Sequence, residues 1–162
     1  MKVIDIATMS EDRKVNFHAG VSNRILLDED KMGYTMTKTV IEAGTKEFQH
    51  YKNHLETCYC VSGRATLTNA STGEEFEIKE DITYVLDDND PHYFEAHEKT
   101  VLICVFNPPL VGDEIHQEDG SYAAKEKGFR SPVYDVLRVP LEKVKSNDYN
   151  PNSVAPPEMA LL

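Results

Sequence analysis

Through the middle of the chain, apolar and polar residues alternate in short runs with a period of two. The runs are Arg24–Leu27, Tyr34–Glu42, Glu47–His50, Leu55–Ser62, Ala65–Asn69, Glu74–Lys79, Ile82–Leu86, His92–Ala96 and Val101–Phe106. Period two is the signature of strands with one buried face. Clusters such as Ala70-Ser71-Thr72-Gly73 and Asp87-Asp88-Asn89-Asp90 separate the runs and supply turn chemistry. No helical period persists for three turns in this region, so the pattern predicts an all-β fold, a single small barrel or sandwich. Asn107-Pro108-Pro109 closes the last strand, because proline cannot donate to a ladder. Alternation also assigns faces. Glu56, Cys58 and Cys60 share one side of their strand, as do Ile82, Tyr84 and Leu86; His92, Phe94 and Ala96; and Leu102, Cys104 and Phe106. Each set mixes apolar residues with a group able to bind metal or substrate, as a small-molecule pocket requires.

Composition narrows the class. The 162 residues suit one domain, and a net charge of -11 argues against nucleic acid and anionic membrane as partners. No apolar run approaches the ~20 residues of a membrane span. The N-terminal MKVIDIATMSEDRK lacks a charged-then-apolar leader pattern, so the expected location is cytoplasmic. Cys58, Cys60 and Cys104 are odd in number and fit reduced thiols better than a disulfide framework. Past Tyr122 the chain turns lysine-rich, then polar with several prolines. Residues 1–122 are therefore expected to form the domain, and 123–162 an irregular extension too small to bury its own core.

The candidate chemistry lies between Gly44 and Gly63, GTKEFQHYKNHLETCYCVSG, and around Pro91-His92. Gly44, His50, Glu56 and Gly63 have the spacing of the first cupin motif, with Lys52 where a second histidine stands in that motif. DITYVLDDNDPHYFEA resembles the second cupin motif. Glu56 at mid-strand on an inward face is costly unless paired or coordinated, the bland alternative being a solvated glutamate at a barrel mouth. His92 reads as a metal ligand or a structural histidine, and His50 as a ligand in a broken motif. Tyr84 is either a core tyrosine with a satisfied hydroxyl or, beside a cation, a phenolate ligand. An oxygen-rich Glu/Tyr/His set with open positions suits iron better than a closed zinc site.

YKNHLETCYCVSG, ITYVLDDNDPHY and above all LICVFNPPLVGDEIHQEDGSY resemble the ectoine synthase family of cupins, from about Val15 to Tyr122. That resemblance implies a metal-dependent hydro-lyase that closes N-γ-acetyl-L-2,4-diaminobutyrate into ectoine with loss of water. It implies iron (Fe2+, another divalent metal being possible) on Glu56, Tyr84 and His92, substrate contacts from Arg24, Thr39, Cys104 and Phe106, and catalytic roles for Glu114, His116 and Tyr84. It also implies a homodimer. Arg24 would clamp the substrate carboxylate, and Glu114 and His116 would position and deprotonate its amine. Against this, Glu114–His116 could be an exposed acidic loop, and Cys104 plain core. Gly20 falls where the family has a tryptophan, which would widen the pocket or leave the wall to another element, and Thr37 also departs from the family. Two other readings stay open: cyclisation of a related acylated diamino acid, and a non-catalytic module that binds a small molecule. The closing stretch VPLEKVKSNDYNPNSVAPPEMALL bears a short resemblance to the opening of a ParB-type N-terminal domain.

Overall fold

The alternating runs are strands. The structure, a computed structural model, describes residues 1–112, 114, 116, 117 and 119–122. The extension 123–162, with its expected lack of a separate domain and its ParB-like stretch, lies outside the described residues. In chain order the strands are β1 (Lys14–Phe17), β2 (Gly20–Leu26), β3 (Thr35–Ile41), β4 (Lys46–Gln49), β5 (Leu55–Ser62), β6 (Arg64–Asn69), β7 (Glu75–Lys79), β8 (Thr83–Leu86), β9 (His92–Ala96) and β10 (Thr100–Asn107). All pairings are antiparallel. They form a six-stranded sheet in the order β1-β2-β3-β10-β5-β8 and a four-stranded sheet in the order β4-β9-β6-β7.

One core draws on the inward faces of both sheets, with Leu102, Phe106 and Leu86 from the larger and Leu67, Ile78 and Phe94 from the smaller. Fully burying a side chain of this kind contributes about 1.5–3 kcal/mol, so the inward faces carry most of the cohesion. The predicted parity holds on β5, where Glu56, Cys58 and Cys60 are buried and Leu55, Tyr59 and Val61 are exposed. Gly63 turns the chain between β5 and β6 at φ 99°. A Cβ there would lie 2.6 Å from Thr100 Cα, so both the backbone angle and the close approach demand glycine.

β1 is an addition to the expected strands. Its segment is held by Arg13, whose guanidinium donates to the Asp30 carboxylate at 2.7 Å and to the Ile25 carbonyl at 3.3 Å. That pairing draws the Asp30 carboxyl down to about 2. β1 then pairs with β2 in the register Val15↔Ser22 and Phe17↔Gly20.

The register fixes what stands beside what. Arg24, Thr37, Cys104, Cys58 and Tyr84 form one row across β2, β3, β10, β5 and β8. Thr35, Phe106, Glu56 and Leu86 form the next row. Beyond β10 the chain folds back over this end of the sheet. Leu110 N–H donates to Thr35 Oγ1 at 2.7 Å, and Asp28 N–H donates to the Leu110 carbonyl at 2.8 Å.

Candidate active site

These rows and the returning segment line a narrow cavity that opens to solvent. Arg24, Thr39, Glu56, Tyr84, Cys104, Phe106, Glu114 and His116, all drawn from the expected site, line it. His92 does not. It stands on β9 of the smaller sheet, opposite Gln49 in register, and its Nε2 lies 3.1 Å from Gln49 Oε1, a side chain that does line the cavity. His50 is half-buried and Lys52 is exposed, ion-paired to Asp119 at 2.6 Å. Neither belongs to the lining, so the unusual lysine in the first motif leaves no gap in the cavity wall.

Glu56 is the most exposed to electrostatic cost. It is 5% solvent-accessible and its Oε2 has no partner. Burial pushes its carboxyl up to about 7, a rise that the neighbouring Cys58 and Cys104 thiols partly offset. Tyr84 is likewise buried, and desolvation, with the negative charge potential of Cys58 and Glu56, holds its phenol well above the usual range. Burial pulls the His92 imidazole below its ordinary value, so the ring is neutral near pH 7. Its Nδ1 sits 2.9 Å from the Asp90 carbonyl, which can only accept. With the proton on Nδ1, the Nε2 lone pair faces a Gln49 amide turned to present its NH2 group; this is the tautomer that binds metals through Nε2.

These features test whether the residues fit a metal. An unpartnered buried carboxylate oxygen, a buried phenol and a histidine with its lone pair on Nε2 are donors that a divalent cation would satisfy, and a cation reverses the pKa logic at Tyr84. The carboxylate of Glu56 and the thiols of Cys58 and Cys104 form a further group able to hold a metal, their ligand atoms all within 4.8 Å of one another. The donor set fits a metal.

Opposite this group, Arg24 is 1% exposed and pairs with Glu114. Its Nη1 donates to Glu114 Oε2 at 2.8 Å and its Nη2 to the Glu114 carbonyl, while its Nε has no partner. The Glu114 carboxylate also accepts from Val111 N–H at 2.7 Å and Gly112 N–H at 2.9 Å. Three of its roughly four acceptor positions are thus committed, and the pair ties the returning segment to β2.

His116 lies between aromatic rings, stacked on Tyr122 at 4.8 Å and edge-on to Phe17 at 6.1 Å. Burial, reinforced by Arg24 and opposed by Glu47, brings its imidazole down to about 4. A neutral His116 accepts through Nε2 from the Tyr51 hydroxyl at 2.8 Å, whose proton burial keeps in place.

Tyr51, Gln49, Tyr122 and Phe17 are cavity residues that sequence patterns did not single out. Gln49 could have been found from the β4 parity, which buries it; Tyr51 follows the strand end, where parity stops. Of the two expectations at Gly20, a wider pocket or a wall left to another element, the structure shows the second. In β2 a Cβ at Gly20 would lie 1.9 Å from the Val40 carbonyl oxygen, so no side chain fits at this position. Phe17, its register partner on β1, lines the cavity instead and supplies an aromatic wall.

Comparison with known proteins agrees with this geometry. L-ectoine synthase of Wolinella succinogenes is 48% identical over 106 residues, covering 65% of this chain and 81% of that protein. L-ectoine synthase of Oceanobacillus iheyensis is 44% identical over 101 residues, covering 62% of this chain and 79% of that one. The crystal structure of ectoine synthase from P. lautus superimposes with a TM-score of 0.69 at 34% identity, covering 80% of this chain and 96% of that one. Residues 1–126 match the ectoine synthase family model, and the chain belongs to that family.

Proposed function

We propose that the protein is a lyase that cyclises N-γ-acetyl-L-2,4-diaminobutyrate to ectoine and water. The observation that carries the reading is one cavity, in a member of the ectoine synthase family, holding a buried cation at Arg24, an unpartnered carboxylate at Glu56 and a neutral base at His116.

Arg24 receives the substrate carboxylate, its unpartnered Nε offering a donor beside the arm that Glu114 already orients. This places the α-amine near His116. Neutral His116 takes a proton from the α-ammonium through Nε2, the Tyr51 hydroxyl turning aside to give up its hydrogen bond there, and the freed amine adds to the acetamide carbon. The C–O bond breaks and the oxygen leaves as water after taking two protons, the one held on His116 and one shed by the attacking nitrogen once it is bonded to carbon, with Tyr51 at the His116 Nε2 to help pass them on. Thr39, Cys104 and Phe106 shape the wall around the acyl chain, and Phe17 packs against His116 and limits access of bulk water. Holding amine and amide together in one pocket turns ring closure into an intramolecular step with a favourable geometry.

Glu56, Tyr84 and His92 would hold the metal, with Fe2+ the preferred ion among divalent candidates given their oxygen-rich character. When bound, it supplies Lewis-acid polarisation of the acetamide carbonyl. The enzyme works as a homodimer in the cytoplasm, where its buried free cysteines Cys58, Cys60 and Cys104 stay reduced.

The test is incubation of the iron-loaded protein with N-γ-acetyl-L-2,4-diaminobutyrate and detection of ectoine by mass. Turnover is expected, and none from a Glu56→Gln variant, whose iron content after dialysis should fall at least tenfold. Wild-type protein with bound iron and no ectoine would defeat the substrate assignment. Full iron content in Glu56→Gln would defeat the metal assignment.

A further inference from the structure

The turn between β8 and β9 carries a polar side chain that reaches across to a different loop. Asn89 is half-buried and has a left-handed backbone at φ 52°, a conformation asparagine tolerates better than most residues. Its side-chain nitrogen donates to the Tyr51 carbonyl at 2.7 Å and to the His54 carbonyl at 3.1 Å. Both partners can only accept, so the nitrogen must face them, and its two hydrogens serve one carbonyl each. Tyr51 and His54 belong to the loop 50–54 between β4 and β5, where no strand ladder fixes the backbone. The ends of that loop are held by other contacts. His50 N–H donates to the Gly120 carbonyl at 2.9 Å, and His54 Nδ1 donates to the Pro108 carbonyl at 2.7 Å. Between those points Asn89 fixes the backbone at Tyr51 itself. An asparagine that only shaped its own turn would bond its own neighbours. Here the local bond runs instead from Asp88 N–H to the Asp90 carboxylate at 3.3 Å.

The Tyr51 hydroxyl lies 2.8 Å from His116 Nε2, and its ring packs against Phe106 and Tyr122. With the ring held between those two, its reach toward His116 is set by where the Tyr51 backbone stands. We infer that Asn89 is a positioning residue for the reaction, holding the Tyr51 hydroxyl within reach of His116 Nε2 so that protons can pass there. The role rests on the reading of His116 and Tyr51 as the groups that handle protons. In the chain Asn89 stands between Tyr84 and His92, yet its bonds go to the Tyr51 loop, so its loss spares the metal.

The test uses full-length Asn89→Gly, which keeps the left-handed backbone and removes the amide. A second variant, Asn89→Asp, keeps the size and replaces the donor by oxygens that only accept. In metal-free protein, whose NMR lines iron does not broaden, the nitrogen signal of His116 Nε2 reports the hydrogen bond from Tyr51. Tyr51→Phe gives the position of that signal without the bond, and Asn89→Gly is expected to move toward it. With iron loaded, kcat of Asn89→Gly on N-γ-acetyl-L-2,4-diaminobutyrate should fall roughly tenfold with KM unchanged within about twofold, the pattern of a misplaced reacting group. Its iron content should equal that of the wild type. Added to Tyr51→Phe, the same substitution should change kcat by less than about twofold, since a residue acting through Tyr51 has nothing left to position. An unmoved His116 signal overturns the inference. So does loss of iron, or a kcat loss that adds in full to that of Tyr51→Phe, either of which would assign Asn89 to its own turn or to the metal side. A wild type with bound iron and no ectoine defeats the proposed reaction instead, and the His116 signal then decides whether Asn89 positions Tyr51. Should Asn89→Gly not fold, Asn89→Asp carries the same readouts.

Discussion

At the scale of residues, His116 and Glu56 are set by one cause with opposite signs. Desolvation penalises whichever form carries charge, so it lowers the histidine and raises the carboxylic acid. For His116 the folded value near 4 lies below the ordinary 6.5, so between these pH values the unfolded chain binds the extra proton. Its contribution to stability is therefore complete above about pH 6.5 and is lost as pH falls toward 4, a loss on the order of 3 kcal/mol. Glu56, raised to about 7, works in the opposite direction over this window, so the loss is read as a difference: between pH 7 and pH 4.5, urea denaturation of metal-free protein should show His116→Gln losing less stability, or gaining more, than the wild type by about this amount. Equal acid sensitivity in the two proteins would mean that His116 is already solvated. The parity of β5 made Glu56 legible in the sequence, and the motif around it suggested why a carboxylate would be tolerated there. Tyr51 was not legible. Its role depends on His116 and Tyr122, which the chain brings back from more than sixty residues away, and no local pattern encodes that return.

At the scale of elements, the sequence revealed strands whose one face is buried and the other wet, because only those impose period two. β1 escaped for the opposite reason. Its residues Lys14–Phe17 are only partly covered, and the strand exists because Arg13 is anchored to Asp30 and because β2 offers an edge to pair with. Without β1 the sequence could not say which element would take over the wall at Gly20. With β1 absent, glycine there looks like a lost wall; with β1 present, Phe17 is the wall and Gly20 lets β2 approach the Val40 carbonyl. Gly20→Trp should therefore destabilise the protein by about 1–3 kcal/mol or more through overpacking, and should not raise turnover. Phe17→Ala should leave folding nearly intact but reduce efficiency roughly ten- to two-hundredfold, the cost of one lost wall contact in a pocket. Thermal melting and steady-state kinetics on the pair separate the two effects. A Gly20→Trp protein with wild-type melting and faster turnover would show that the cavity does extend to that position.

At the scale of the molecule, the family match over residues 1–126 and the enclosure of the cavity by residues up to Tyr122 place the chemistry in the front three-quarters of the chain. A chain ending at residue 126 is expected to keep its iron and its turnover within about twofold, because the family match ends there and residues up to Tyr122 already carry the named site groups. Iron content and kcat/KM of the shortened protein check this, and loss of either would assign the extension a part in the site.

Association is the second question at this scale, and it turns on the outer face of the larger sheet. Val105, Thr57 and Val85 are register neighbours across β10, β5 and β8, all directed away from the core. Val85 is 56% exposed, and Leu55, Tyr59 and Val61 extend the same face. An apolar strip running over three adjacent strands is more than the scattered hydrophobics of an ordinary surface, and removing it from water is favourable. A second copy brings an identical strip, so a two-fold arrangement would bury both at once. Charge offers no obstacle there: the net charge of -11 is carried elsewhere, since none of these six residues ionises except the Tyr59 phenol. Sedimentation of the wild-type protein should give a dimer, and Val85→Lys with Val105→Lys should shift it to monomers by placing two buried cations in each copy. Dimers that survive the double substitution would locate the contact on another face, and a monomeric wild type would remove the homodimer from the account altogether.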